Sequence, residues 1–191
     1  LNMLESDDLA GMGHNSAAYL HLLTESMKLA YADRNQYLGD PDFAEVPVAQ
    51  LIDKAYAARQ RKLIDPARAT PSATIKPGQV MLPESKDTTH YSVADDKGNM
   101  VSNTYTLNAS FGSAIAVPGT GMLLNNEMGD FAARPGKPNL FGLVQGEANS
   151  IEGGKRPLSS MSPTIVLRDG APWLATGSPG GSRIITTVLQ T

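Results

Sequence analysis

Four short stretches of this chain concentrate groups that could do chemistry. If Met100 to Asn108 is a strand, alternation puts Thr104, Thr106 and Asn108 on one face and Val101, Asn103, Tyr105 and Leu107 on the other. The polar face can hold a reacting hydroxyl or can simply be a solvated edge, since threonine is a common strand residue. Asn125-Asn126-Glu127-Met128-Gly129-Asp130 follows an apolar stretch with amides and carboxylates crowded together. It reads as a turn with solvated acids or as a pocket where these carboxylates and amides accept hydrogen bonds from an ammonium group. Lys155 to Pro163 places Ser159, Ser160 and Ser162 beside two cations, as a carboxylate-binding loop or an ordinary polar loop would. Gly177-Ser178-Pro179-Gly180-Gly181 leads from a strand into a helix, where backbone N–H groups can hold an oxyanion. No Lys-Ser/Thr pair follows the glycines, so this is not a phosphate-binding Walker loop, and a tight strand-to-helix turn is the alternative.

Other chemistries find little support. The three histidines, His14, His21 and His90, are too dispersed for a zinc site and are read as surface, packing or structural residues. The absence of cysteine removes disulfides, thiolate metal sites and a cysteine nucleophile, and leaves the compartment open. Neither a metal nor another cofactor is expected. A net charge of −3 with scattered Lys and Arg suggests no nucleic-acid partner. No apolar run approaches the roughly 20 residues of a membrane helix. Asn108-Ala109-Ser110 fits a glycosylation acceptor, but so short a pattern carries little weight.

The elements that must position these groups form two halves. Asn15 or Ser16 can cap a helix whose stripe is Leu20, Leu23, Met27, Ala30 and Tyr31, ending near Gly39. Pro47 suits the first turn of a second helix, with Val48, Leu51, Ile52, Ala55 and Leu63 as its buried face before Asp65-Pro66. From Ala67 to Lys86 the composition turns to Pro, Ser, Thr and Lys, an extended and exposed connector that is a natural place to cut. Tyr91 to Asp95 and Met100 to Asn108 then read as paired strands around Asp96-Lys97-Gly98-Asn99. Gly121 to Leu124, Thr164 to Leu167 and Trp173 to Thr176 are further strands, the last two forming a hairpin around Arg168-Asp169-Gly170. An apolar helix through Ile184, Ile185, Val188 and Leu189 closes the chain. Helices followed by strands predict an α+β or layered α/β fold. Leu1 and Thr191 both fall in segments that read as uncapped helix, and there is no initiating Met, so the chain reads as a piece of a longer protein.

Taken together, Thr88-Thr89-His90-Tyr91-Ser92-Val93, Gly98-Asn99, Val101-Ser102, Thr104 to Asn108 and Phe111-Gly112 resemble the start of the γ-glutamyltransferase small subunit. Leu123 to Met128 with Asp130-Phe131, Lys155 to Pro163, and Gly177 to Ile184 are similar to the family's remaining donor-site motifs, in order. Ala30 to Arg34 and Leu38 to Asp42 resemble the end of its large subunit, so nearly the whole chain is covered.

The resemblance implies an N-terminal-nucleophile αββα sandwich, only partly present here. It divides the chain into 1–87, the end of the large subunit, and 88–191, the start of the catalytic small subunit, cleaved autocatalytically between Asp87 and Thr88. A threonine hydroxyl is a poor nucleophile until a base takes its proton, and a free α-amino group with a pKa near 8 can do so. Thr88 would supply both groups. By resemblance, Thr106 orients the Thr88 hydroxyl. Asn108, Glu127 and Asp130 surround the donor's α-ammonium, and Ser159 and Ser160 bind its α-carboxylate. The N–H groups of Gly180 and Gly181 form the oxyanion hole. The implied donors are glutathione and other γ-glutamyl compounds, the acceptors water, amino acids or peptides, and the site of action periplasmic or extracellular. The remaining parts of both subunits are implied partners, including the large-subunit arginine that the family uses on the donor carboxylate.

Two departures from the family pattern bear on specificity. Glu127 stands where some members carry Gln, and Gly129 takes a position that is often acidic. Phe141, in a lid-like loop from Pro135 to Gln145, replaces the Tyr of some bacterial members, which removes a phenolic hydrogen bond and affects the acceptor preference expected. Two alternatives remain: a glutaryl or cephalosporin acylase of the same superfamily, and a catalytically silent fragment. Asp130 argues against the acylase, because a buried carboxylate facing a substrate that lacks the α-ammonium is costly to keep unpaired.

Overall fold

The computed structural model describes residues 1–75, 88–139 and 142–191. They fall into two compact units, one within Leu1–Met81, Ala132–Pro138 and Leu143–Arg156, the other within Leu82–Phe131, Asn139–Gly142 and Pro157–Thr191. Asp87, Phe141 and the connector beyond Ile75 lie outside the described residues.

The first unit is helical. The helices α1 (Leu9–Met12) and α2 (Ala17–Tyr37) each start at a capping side chain. Ser16 Oγ accepts the Tyr19 N–H at 3.2 Å, so the expected cap is observed. α2 stops where Leu38 turns to extended backbone, one residue before Gly39. Its buried face is rotated from the expected stripe. Leu22, Leu23, Glu25, Ser26, Ala32, Arg34 and Asn35 are buried, whereas Leu20 and Ala30 are exposed. The difference arises because polar residues of this face are satisfied by a distant segment: Glu25 accepts the Thr70 N–H at 3.2 Å, and Lys28, which also donates to Glu25, donates to the Thr70 carbonyl at 2.9 Å. Apolar periodicity alone does not register such burial.

The expected second helix is broken in two, α3 (Val48–Leu51) and α4 (Lys54–Arg61). Asp53 restarts the helix, its Oδ1 accepting the Tyr56 N–H at 2.7 Å. The expected buried face is consequently not formed. Val48, Ile52 and Leu63 are exposed, and Val48, Leu51 and Ile52 line an open hollow with Leu1, Ala30 and Tyr56. Ala57 and Ile64 are the buried apolar residues of this region. Leu1 lies outside any helix, its carbonyl accepting the Leu4 N–H at 2.8 Å. No helix among the described residues is long and apolar enough to cross a membrane.

The second unit is built on two antiparallel hairpins, β1 (Thr89–Ala94) with β2 (Met100–Tyr105), and β3 (Thr164–Arg168) with β4 (Ala171–Thr176). In the first, Asp95 Oδ1 accepts the N–H groups of Lys97 and Asn99 at 2.9 and 2.8 Å, which closes the turn. The Asn99 side-chain amide foremost, donating to Oδ2 at 2.6 Å, together with these N–H groups holds the Asp95 carboxyl below its ordinary pKa. In the second, Asp169 and Gly170 both have positive φ, 53° and 80°, the pair a tight two-residue hairpin needs. The Arg168 guanidinium stacks 3.8 Å from the Trp173 ring centre. The expected strand Gly121 to Leu124 is absent; a single bridge joins Ala116 to Leu123, because Gly119 and Gly121 both turn to positive φ. The final helix α5 (Ile184–Leu189) buries only Ile184 and stops before Thr191.

Candidate active site

The register of the first hairpin decides which side chains share a face. Directly paired residues point the same way, so His90, Ser92 and Ala94 of β1 lie with Thr104, Ser102 and Met100 of β2 on one side. Tyr91 and Val93 lie with Asn103 and Val101 on the other, where Tyr91, Val93, Val101 and Tyr105 are about half exposed. On the polar face His90, Ser102 and Thr104 are half-buried while Ser92 and Ala94 are exposed, so the solvated-edge alternative does not hold for Thr104. Ser102 Oγ donates to the Thr176 carbonyl at 2.8 Å and accepts the Thr164 N–H at 3.1 Å. One serine hydroxyl therefore joins the two hairpins.

Thr88 is half-buried and immediately precedes β1. Thr89 pairs with Tyr105, the last pair of the ladder, so Thr88 and Thr106 flank it at the same end of the hairpin. The strand ends at Tyr105 rather than at Asn108. Asn108 turns to φ +76° and directs its N–H to Thr106 Oγ1 at 2.8 Å, which replaces the ladder by a local side-chain turn.

The same turn is tied to the acidic stretch. Asn108, only 6% exposed, donates Nδ2 to the Asn126 carbonyl at 3.0 Å, while Asn126 Oδ1 accepts the Ala109 N–H at 3.0 Å. Asn126 N–H donates to the Leu107 carbonyl at 3.1 Å. Asn126 is the residue from which the 3-10 turn Glu127–Asp130 starts, with Glu127 N–H on Asn125 Oδ1 at 2.9 Å. Glu127 and Asp130 are half-buried, placed by asparagine pairs rather than by a strand. Burial and this hydrogen bond also make Asn108 a poor glycosylation acceptor.

The glycine turn is fixed to the hydroxyl face. His90 Nδ1 lies 2.7 Å from Thr104 Oγ1 and Nε2 lies 3.0 Å from Ser92 Oγ. A Cβ built on Gly177 would stand 2.2 Å from His90 Nδ1 and Cε1, so only glycine allows β4 to run out against this ring. From there the chain passes to Gly180 and Gly181, with φ of 133° and 57°, and into the 3-10 turn Gly181–Arg183 that leads to α5. Ser159 is exposed and Ser160 half-buried; Ser159 Oγ accepts the Met161 N–H at 3.1 Å, and Ser162 Oγ donates to the Ser160 carbonyl at 3.1 Å. The structure thus ties Thr88, Thr106 and the glycine turn to one hairpin, and Asn108 to the Glu127–Asp130 turn.

Sequence reasoning named Asn126 only as one amide of the acidic stretch, and did not single out Ser102 as a site residue or the pairing of His90 with Gly177. A serine in a strand and a glycine after one give no signal of their own; only the hairpin register, once known, brings them together.

The Gamma-glutamyltranspeptidase family profile matches residues 1–191, the whole chain. The glutathione hydrolase proenzyme of Escherichia coli (strain K12) is 56% identical over 190 residues, which cover 100% of this chain and 33% of that protein. The chain spans about a third of the length of such relatives. Among solved structures, a mutant gamma-glutamyltranspeptidase of Helicobacter pylori is 70% identical with a TM-score of 0.52, covering 53% of this chain and 55% of that one. The cephalosporin acylase of Bacillus halodurans matches with a TM-score of 0.72 at 25% identity, over 99% of this chain and 31% of that one. With its helices and paired hairpins, the chain carries part of the N-terminal-nucleophile hydrolase fold that these enzymes share. The profile over every residue and the identity to the E. coli protein agree: this chain belongs to the gamma-glutamyltranspeptidase family.

Proposed function

We propose that the full-length protein transfers the γ-glutamyl group of glutathione and related amides to water, amino acids or peptides, through an ester on Thr88. The observation that carries this reading is the Thr89–Tyr105 pair, which leaves Thr88 and Thr106 at the same end of the first hairpin, whose His90 meets Gly177. On this reading the chain is cut between Asp87 and Thr88 by attack of the Thr88 hydroxyl on the Asp87 carbonyl, and water opens the resulting ester. The division of residues 1–87 from 88–191 is then a division between cleavage products. The freed Thr88 α-amino group takes the hydroxyl proton as Oγ attacks the donor's amide carbon, and returns it to the leaving amine. Water or an amino group next attacks the ester carbon and releases glutamate or a new γ-glutamyl amide.

Thr106 orients the nucleophile, and Gly180 and Gly181 present N–H groups to the developing oxyanion, worth about 3 to 4 kcal/mol per donor. Asn108, Glu127 and Asp130 receive the donor's α-ammonium, and Ser159 and Ser160 its α-carboxylate. We place the activity in the periplasm or outside the cell. An acylase reading draws on the likeness to the Bacillus halodurans enzyme. The half-buried carboxylates of the Glu127–Asp130 turn favour a donor that brings an ammonium over a glutaryl chain that has none.

The test is Thr88→Ala in the full-length precursor. It should remain a single chain on a denaturing gel and release no chromogenic amine from a γ-glutamyl anilide, because one hydroxyl serves both reactions. A variant that still matures at Asp87-Thr88 would refute the assignment.

A further inference from the structure

The first unit is built from residues on both sides of the proposed cut. Where α2 ends, the Asn35 carbonyl accepts the Gly146 N–H at 2.8 Å. A Cβ on Gly39 would stand 2.0 Å from the Ala148 carbonyl oxygen, so the two backbones meet there without room for a side chain. Asp40 follows, 3% exposed, and its carboxylate is enclosed by donors. Oδ2 accepts both the backbone N–H and the Nε of Arg156 at 2.9 Å, Nη2 of Arg156 bonds Oδ1, and Asp42 N–H donates to Oδ1 at 3.2 Å. Nη2 also reaches Asp42 Oδ2 at 2.5 Å. The Arg156 guanidinium foremost, with these N–H groups, holds the Asp40 carboxyl far below the usual carboxylate range.

None of the chemistry proposed above uses Asp40, yet a buried carboxylate is kept only where it is paired. The Arg156 side chain is 65% exposed and that of Asp40 1%, so the acid is the anchored member of the pair. Arg156 is followed by Pro157, whose ring fixes its own φ and restricts the residue before it, and then by Leu158, Ser159 and Ser160. Because Asp40 grips the Arg156 backbone N–H as well as its side chain, it fixes the point from which the serine stretch leaves.

We propose that Asp40 is a positioning residue for donor binding: through Arg156 it anchors the Pro157 to Ser160 stretch whose serines take the donor carboxylate. The proposal rests on the function given above. Asp40 precedes and Arg156 follows Asp87-Thr88, so in the cut protein the anchor runs from one product to the other.

The experiment uses the full-length protein as wild type, Asp40→Asn, Asp40→Ala and Arg156→Lys, with active sites counted by the acyl-enzyme burst. Per active site, Asp40→Ala should raise KM for a γ-glutamyl anilide about tenfold and leave kcat within about twofold, since a displaced binding loop weakens ground-state and transition-state binding alike. Arg156→Lys, which keeps the charge and loses the fork, should fall between. For 4-aminobutanoyl anilide, which lacks the α-carboxylate, kcat/KM should be the same in wild type and Asp40→Ala. Unchanged KM for the γ-glutamyl donor, or equal losses for both donors, would overturn the proposal. If Asp40→Ala fails to mature, the milder Asp40→Asn and Arg156→Lys are decisive, and failure of all three to mature would show that the pair serves folding instead. A wild type with no activity on γ-glutamyl anilide would refute the functional reading itself, whatever the variants do.

Discussion

Gly177→Ala is the sharpest structural test of the site, because it adds one methyl group at a point where the structure has no room. The backbone there is not left-handed, so the effect is steric rather than conformational. The new Cβ would lie 2.2 Å from two His90 ring atoms and 2.8 Å from a third. Carbon atoms come to rest at about 3.5 Å, so chain or ring must give way by more than about 1 Å. The ring is held by Thr104 and Ser92, at 2.7 and 3.0 Å, and turning it away sacrifices both bonds at about 1 kcal/mol each. Overpacking adds about 1 to 3 kcal/mol. Either the fold loses about 3 to 5 kcal/mol or the glycine turn shifts, and a misplacement of about 1 Å in a catalytic group costs about 100-fold. The assay is kcat/KM of the full-length protein for a γ-glutamyl anilide, with thermal melting alongside. Gly153→Ala, where a Cβ meets nothing within 4 Å, is the control and should be neutral. Adding His90→Ala should restore part of the melting temperature lost by Gly177→Ala, a coupling that a double-mutant cycle reads directly. A Gly177→Ala enzyme within twofold of wild type in kcat/KM, and equally stable, would refute the reasoning.

Two further outcomes are expected. Asp130→Ala should weaken γ-glutamyl donors more than glutaryl analogues by about 2 to 5 kcal/mol, the cost of leaving a charged partner unpaired; equal losses of kcat/KM would exclude an ammonium site there. The Asp7 carboxylate, held by the Arg61 fork at 2.7 and 2.8 Å, has its pKa lowered chiefly by that hydrogen bonding. A depressed folded-state pKa contributes stability that is fully present above the unfolded value of about 3.9 and lost as pH falls through the folded one. The melting temperature of Asp7→Asn should therefore lie below wild type at pH 7, and the gap should narrow below about pH 4; a constant gap down to pH 3 would contradict the assignment.

Local signals were legible where chemistry is local. Ser16 before an apolar run, Asp95 to Asn99 between strands and Asp169-Gly170 in the second hairpin each formed the cap or turn that their residue types require. The motifs around Thr88, Asn125 and Gly177 identified the family before any contact was known. What sequence did not supply was long-range. Spacing rules cannot show that the α2 face would bury Glu25 against Thr70, or that Asp40 would take a partner 116 residues away. The failure at Gly121 to Leu124 has the opposite origin: four apolar-leaning residues looked like a strand, and two glycines at positive φ turned them into a loop. Val48 and Ile52 read as core from their period alone, but the Asp53 cap restarts the helix and leaves them on an open hollow.

The composite make-up of the first unit changes what a cut after Asp87 does to its folding. In the uncut chain, bringing Arg156 to Asp40 closes a loop, and the two ends meet at an effective concentration that a linker of any moderate length keeps near the millimolar range. After the cut, the same contact becomes an encounter between two molecules, and at nanomolar or micromolar protein that advantage is gone. A unit that assembled in first order would have to reassemble in second order. On the proposed cleavage, maturation would act as a ratchet on refolding: recovery of the precursor from denaturation is independent of dilution, whereas recovery of the cut protein falls with it.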